Sequence, residues 1–144
     1  HDIGMIGVSD EILYKIDALS QEEYDEIKKH ITYSVKILED IKQLKDVVEI
    51  IKYHHEKYDG TGYPYGVKGE DIPLGSRIIA VADAFDSIIS NRIYRNKIEL
   101  QDALNEIKKG ALTQFDPVVV KAFEDSFDAI SAAVSESELS SYKD

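Results

Sequence analysis

Apolar residues recur at three- and four-residue spacing along almost the whole of this 144-residue chain, and no segment alternates with the two-residue period of a half-buried strand. That pattern restricts the fold to an all-α bundle. Ser9 caps a short helix from Asp10 that carries Ile12 and Leu13. Ser20 and Glu23 form a capping box that opens a helix running to about Ile41, with Ile27, Ile31, Leu38 and Ile41 as its apolar stripe. A third helix, from about Leu44 to Glu56, carries Leu44, Val47, Val48 and Ile51 on its core face. The Gly/Pro-rich stretch from Asp59 to Gly75 reads as an ordered loop. Further helices are expected from about Pro73 to Ser90 and from about Glu99 to Lys109, with Gly110 as the stop. Asp116 and Pro117 supply the N-cap and first-turn proline of another, which holds Val119, Val120 and Phe123. The polar segment 135–144 is expected to fray as a tail, leaving 1–134 as the domain.

Composition narrows the function. Acidic residues outnumber basic ones by 28 to 17, a formal net charge of −11, so the chain repels nucleic-acid polymers and acidic lipid surfaces. No apolar run approaches the ~20 residues of a membrane span, and no signal peptide opens the chain. The absence of cysteine excludes disulfide frameworks, thiolate metal sites and thiol catalysis, and with the other features it gives a cytoplasmic expectation. An anionic substrate is still admissible, provided that local cations or metals receive it.

The four histidines carry the chemistry. Steps of three and four along the third helix's stripe land on His54 and His55, and His30 lies beside Ile27, Ile31 and Ser34 on the second helix. On the Pro73–Ser90 helix, Asp86 falls inside the apolar arc and Asp83 at its edge. A single inward histidine is usually a hydrogen-bonded core residue, but a structural core rarely needs two imidazoles side by side. Imidazoles and carboxylates converging on one interior satisfy each other best around a divalent cation, and a thiolate-free set suits iron, manganese or zinc.

These residues fall within a recognisable order of motifs. His1-Asp2-Ile3-Gly4 resembles the HD signature of metal-dependent phosphohydrolases, and His54 to Pro64 (HHEKYDGTGYP) resembles the HHE-x-x-DGxGYP signature of the HD-GYP subgroup. Arg77 to Asp86, then Arg92-Ile93-Tyr94-Arg95, is similar to the helix and loop that follow in that subgroup, and Thr113 to Pro117 to its closing motif. The resemblance implies an HD-domain helical bundle with an ordered GYP loop, beginning here at the HD motif. It implies a phosphodiesterase that hydrolyses cyclic di-GMP to linear pGpG, and onward to GMP, through a metal-bridging hydroxide.

Residue by residue, it makes His1, Asp2, His30, His54, His55 and Asp83 metal ligands, with the Asp2 carboxylate bridging ions at the catalytic centre. Tyr63, Gly62, Arg92 and Arg95 are then the substrate-binding residues. Two or three divalent transition ions are implied, iron or manganese first, zinc or nickel next. Implied partners are the cyclic dinucleotide, a protein such as a diguanylate cyclase domain, and a second copy of the chain. The homodimer expectation comes from the family's upstream helices, which this sequence lacks and whose groove would otherwise be exposed. Met5 stands where the family pattern has a lysine, and Ile93 where it has a proline. Methionine neither donates a hydrogen bond nor neutralises charge, which motivates an alternative reading as a weakly active or degenerate regulatory module. An HD phosphohydrolase with another substrate, for example a different cyclic dinucleotide, is the third reading.

Overall fold

The computed structural model describes residues 1–90 and 100–141. Among the described residues it is all-α, with no strand and a single isolated bridge between Ala111 and Phe115. The chain divides into two compact units, 1–77 and 78–144.

The first unit begins with a 3₁₀ turn, Ile3–Gly7, followed by α1 (Asp10–Leu13), α2 (Gln21–Lys28), α3 (His30–Leu38) and α4 (Lys45–Ile51). Ser9 caps α1 by accepting from the Glu11 N–H, and Ser20 and Glu23 complete the capping box of α2. The helix expected to run from Ser20 to Ile41 is two helices. Lys29 separates them: its N–H reaches only three residues back, to Glu26 O, a tightening that re-aims His30 at the start of α3. The third expected helix is also shorter than its pattern, for α4 ends at Ile51 and residues 52–55 form a turn. There Tyr53 and Glu56 likewise bond three residues back, to Ile50 and Tyr53. Two members of the expected stripes, Ile41 and Val47, are exposed, while Ile31, Val48 and Ile51 are buried.

The 3₁₀ turn packs on α3 through Gly4. A Cβ there would stand 1.9 Å from His30 O and 2.6 Å from Ser34 Oγ. The Gly4 N–H instead donates to Ser34 Oγ at 2.8 Å, and Ser34 is wholly buried. This contact fixes Asp2, two residues earlier, against α3. The start of α5 (Leu74–Ser90) is seated on α4, where the Ser76 hydroxyl donates to Ile50 O at 2.7 Å.

The second unit contains the rest of α5, then α6 (Leu100–Lys109), α7 (Pro117–Asp125) and α8 (Phe127–Ser141). Val81, Phe85, Ala103, Ile107, Phe115, Val119 and Val120 form its core. Asp116 caps α7, accepting from the Val118 N–H at 2.7 Å, with Pro117 in the first turn. α8 carries the chain as helix beyond Ser135, and its Phe127 meets Phe85 edge-on at 6.3 Å. Asp86 is exposed on α5, contrary to its place in the apolar arc of the pattern, whereas Asp83 is half-buried.

Candidate metal centre

Two buried histidines are held by the same device. His30 Nδ1 lies 2.7 Å from Ile27 O and His54 Nδ1 lies 2.7 Å from Ile51 O, each bonding a carbonyl three residues back. A carbonyl oxygen only accepts, so each Nδ1 carries the proton and each Nε2 keeps its lone pair. Both Nε2 atoms are buried and neither has a hydrogen-bond partner. They face the same atom, Asp2 Oδ1, at 3.3 Å from His30 and 3.4 Å from His54. The other carboxylate oxygen, Oδ2, stands 3.3 Å from His1 Nε2.

His55 completes the group, its ring centroid 4.0 Å from that of His54 and 5.1 Å from that of His30. Ligand atoms of Asp2, His30, His54 and His55 all lie within 4.8 Å of one another.

Two imidazole lone pairs and a carboxylate oxygen pointed together repel unless a cation stands among them. A proton answers one such contact; a divalent ion answers all of them. Ligands at about 2.1 Å from one ion stand about 3.4 Å apart at the tetrahedral angle, the separation found here between Asp2 Oδ1 and the two imidazoles. The donor set therefore fits a transition ion of the kind that takes nitrogen and oxygen together.

Protonation follows the same geometry. Without an ion a proton takes this part: carried by the His30 or His54 imidazole and donated to Asp2, it holds the Asp2 carboxyl well below the usual carboxylate range. Burial lowers the His30 pKa, but the Asp2 carboxylate and the Ile27 carbonyl more than offset it, and the net shift is upward. Burial, reinforced by the neighbouring imidazoles His54 and His30, brings His55 down to about 4, so it stands as a neutral ligand at physiological pH.

The Gly/Pro-rich loop is anchored beside this cluster by Glu56. Its buried carboxylate accepts from the Tyr65 N–H at 2.7 Å and from the Gly66 N–H at 3.1 Å. Gly62 passes so close to the preceding backbone that a Cβ would sit 2.2 Å from Lys57 N. The loop thereby lays Tyr63 against His55, rings stacked at 4.9 Å and 25°. The Lys28 ammonium stands 4.5 Å from the Tyr24 ring centroid and 5.5 Å from that of Tyr63.

Of the residues singled out from sequence, Asp2, His30, His54 and His55 converge, His1 touches Asp2, and Tyr63 and Gly62 lie in the adjoining loop. Asp83 is in the second unit, and Arg92 and Arg95 lie outside the described residues. Sequence reasoning passed over Glu56 and Lys28. A carboxylate directly before a glycine-rich loop was a usable sign for the first, since clustered loop amides need an acceptor. Nothing local distinguishes Lys28 from the other lysines.

The HD domain family model matches residues 1–119. A cyclic di-GMP phosphodiesterase of Thermotoga maritima is 42% identical over 125 residues, which cover 85% of this chain and 34% of the relative. A 3′3′-cGAMP-specific phosphodiesterase of Vibrio cholerae is 40% identical over 117 residues, 81% of this chain and 25% of that one. The crystal structure of a cyclic GMP-AMP-specific phosphodiesterase of Vibrio cholerae superposes with a TM-score of 0.64 and 26% identity, covering 76% of this chain and 25% of that one. The chain thus spans between a quarter and about a third of the length of these relatives.

Proposed function

Since this chain belongs to the HD domain family, we propose that it is a metal-dependent phosphodiesterase of the HD-GYP type that hydrolyses cyclic di-GMP to linear pGpG, and onward to GMP. One observation carries the reading: the buried Nε2 atoms of His30 and His54 have no hydrogen-bond partner and face Asp2 Oδ1. That arrangement is costly without a cation and useful with one.

His1, Asp2, His30, His54, His55 and Asp83 would hold the ions, iron or manganese before zinc or nickel. When bound, divalent ions supply a water-derived nucleophile at neutral pH and neutralise charge on the phosphoryl oxygens. The residues of this chain do the positioning. The Ile27 and Ile51 carbonyls orient the His30 and His54 imidazoles, so that both lone pairs are aimed before any ion or substrate arrives. Asp2 presents its two oxygens to different imidazoles, Oδ1 to His30 and His54 and Oδ2 to His1, which suits a carboxylate shared between ions. Glu56 holds the loop that carries Gly62 and Tyr63 beside His55, where Tyr63 offers an aromatic contact to a guanine. Arg92 and Arg95 complete the substrate-binding set, within a domain running from 1 to 134 with 135–144 as its tail.

A second cyclic dinucleotide has specific support, because relatives at similar identity are named for 3′3′-cGAMP. Both substrates present the same phosphodiester to the same cluster. The deciding experiment incubates purified protein, loaded with manganese or iron, with cyclic di-GMP or 3′3′-cGAMP and separates the products by chromatography. We expect linear dinucleotide from cyclic di-GMP, and none above background from an Asp2→Ala control. Wild-type protein that retains metal and binds the dinucleotide without cleaving it would overturn the catalytic reading in favour of a regulatory module.

A further inference from the structure

A cyclic dinucleotide carries two phosphodiester anions on one macrocycle, and only one of them can occupy the histidine–aspartate cluster at a time. The other lies displaced to one side and needs its own counter-charge, on a chain whose net charge of −11 opposes its approach. Lys28, the last residue of α2, has its ammonium 5.5 Å from the Tyr63 ring centroid, and the same ring stacks on the His55 imidazole at 4.9 Å. The cation and the cluster thus share one aromatic neighbour. Tyr24, one turn earlier on α2, supports the ammonium from 4.5 Å.

We propose that Lys28 binds the second, uncleaved phosphodiester of the cyclic dinucleotide, which makes it a residue that selects dinucleotides over simple diesters; this rests on the phosphodiesterase reading above. The Asp25 carboxylate 2.7 Å from its Nζ does not oppose the assignment. That pair lies within one helical turn at the surface, where such contacts contribute little, and an ammonium has three donors to share. The half-buried side chain, with its ammonium already near two tyrosine rings, limits the freedom lost when a phosphate docks.

The test measures steady-state kinetics of wild type, Lys28→Gln and Lys28→Arg on two substrates, with bound metal quantified in each preparation. The substrates are cyclic di-GMP and bis(p-nitrophenyl) phosphate, a diester with no second anion. We expect Lys28→Gln to raise KM for cyclic di-GMP by about ten- to a hundredfold, as for loss of one charge-assisted contact, with kcat little changed. Its kcat/KM for bis(p-nitrophenyl) phosphate and its metal content should match wild type, and Lys28→Arg should restore most of the KM. Equal losses on both substrates would overturn the proposal, since they would show Lys28 acting on the site through Tyr63. So would an unchanged KM for cyclic di-GMP. If wild-type protein itself cleaves neither substrate, the proposed function falls first, and with it the basis for assigning Lys28.

Discussion

Replacing Gly4 by alanine should dismantle the histidine–aspartate cluster without touching any of its side chains. The new Cβ would lie 1.9 Å from His30 O, 2.4 Å from Ser34 N and 2.6 Å from Ser34 Oγ, where ordinary contact begins near 3.4 Å. Two of those three atoms are backbone of α3 and cannot rotate away, so the 3₁₀ turn must move outward by more than an ångström. The displacement breaks the 2.8 Å bond from Gly4 N–H to the buried Ser34 hydroxyl, a loss of about 1–3 kcal/mol. Overpacking contributes about 1–3 kcal/mol more. Together they should lower the melting temperature by roughly 5–15 °C in a chain of this size. Asp2 travels with the turn, and metal–ligand distances tolerate only about 0.2 Å. Thermal unfolding with and without manganese, together with metal analysis, reads both effects. We expect manganese to raise the melting temperature of the wild-type protein and not that of Gly4→Ala. Ser34→Ala, which removes the hydrogen bond but adds no bulk, should be less destabilised and should still take up metal. Gly4→Ala protein with wild-type stability and wild-type metal content would refute the argument that this close approach places Asp2.

Two further perturbations probe the supports of the site. Glu56→Gln replaces a carboxylate that accepts from two loop amides with a group that turns a donor toward one of them. It should cost the loop about 1.5–3 kcal/mol and speed amide exchange at Tyr65 and Gly66, leaving metal content intact; unchanged exchange would refute the anchoring role. Glu23→Gln tests the cap of the helix that leads to His30. Lys15 and the Ser20 N–H hold the Glu23 carboxyl below its ordinary 4.5, so its contribution is present above that pH and is lost as the pH falls through the lowered value. The variant should melt below wild type at pH 7, with the gap closing toward pH 3; a gap independent of pH would count against the capping box as its source.

Much of the fold was legible because its signals are local. Ser9, Ser20 with Glu23, and Asp116 with Pro117 cap helices as their chemistry dictates, since each satisfies amides within its own turn. The breaks at Lys29 and Ile51 were not legible. They arise where the histidine rings take the Ile27 and Ile51 carbonyls and the backbone tightens, and neither residue type announces a stop. α8 was not legible although Phe127, Ile130 and Val134 stand at helical spacing, because the polar residues after Ser135 do not continue that stripe.

The candidate site divides along the same line. Extending the α4 stripe pointed both His54 and His55 inward even though the helix stops short of them, because the following turn keeps a helical sense long enough to bury His54 and half-bury His55. What periodicity cannot supply is that two imidazoles on different elements should meet one carboxylate on a third. That depends on a glycine thin enough to admit a serine hydroxyl 30 residues away, a requirement with no signature in the spacing of either. Lys28 shows the same limit from the other side. Its separation from His30 in sequence says nothing, and it gains meaning only because the loop anchored by Glu56 brings Tyr63 near both its ammonium and His55. The imidazoles that converge were thus legible from type and periodicity and Asp2 from its motif, whereas the residues that aim them depend on contacts between elements and can be assigned only once the packing is known.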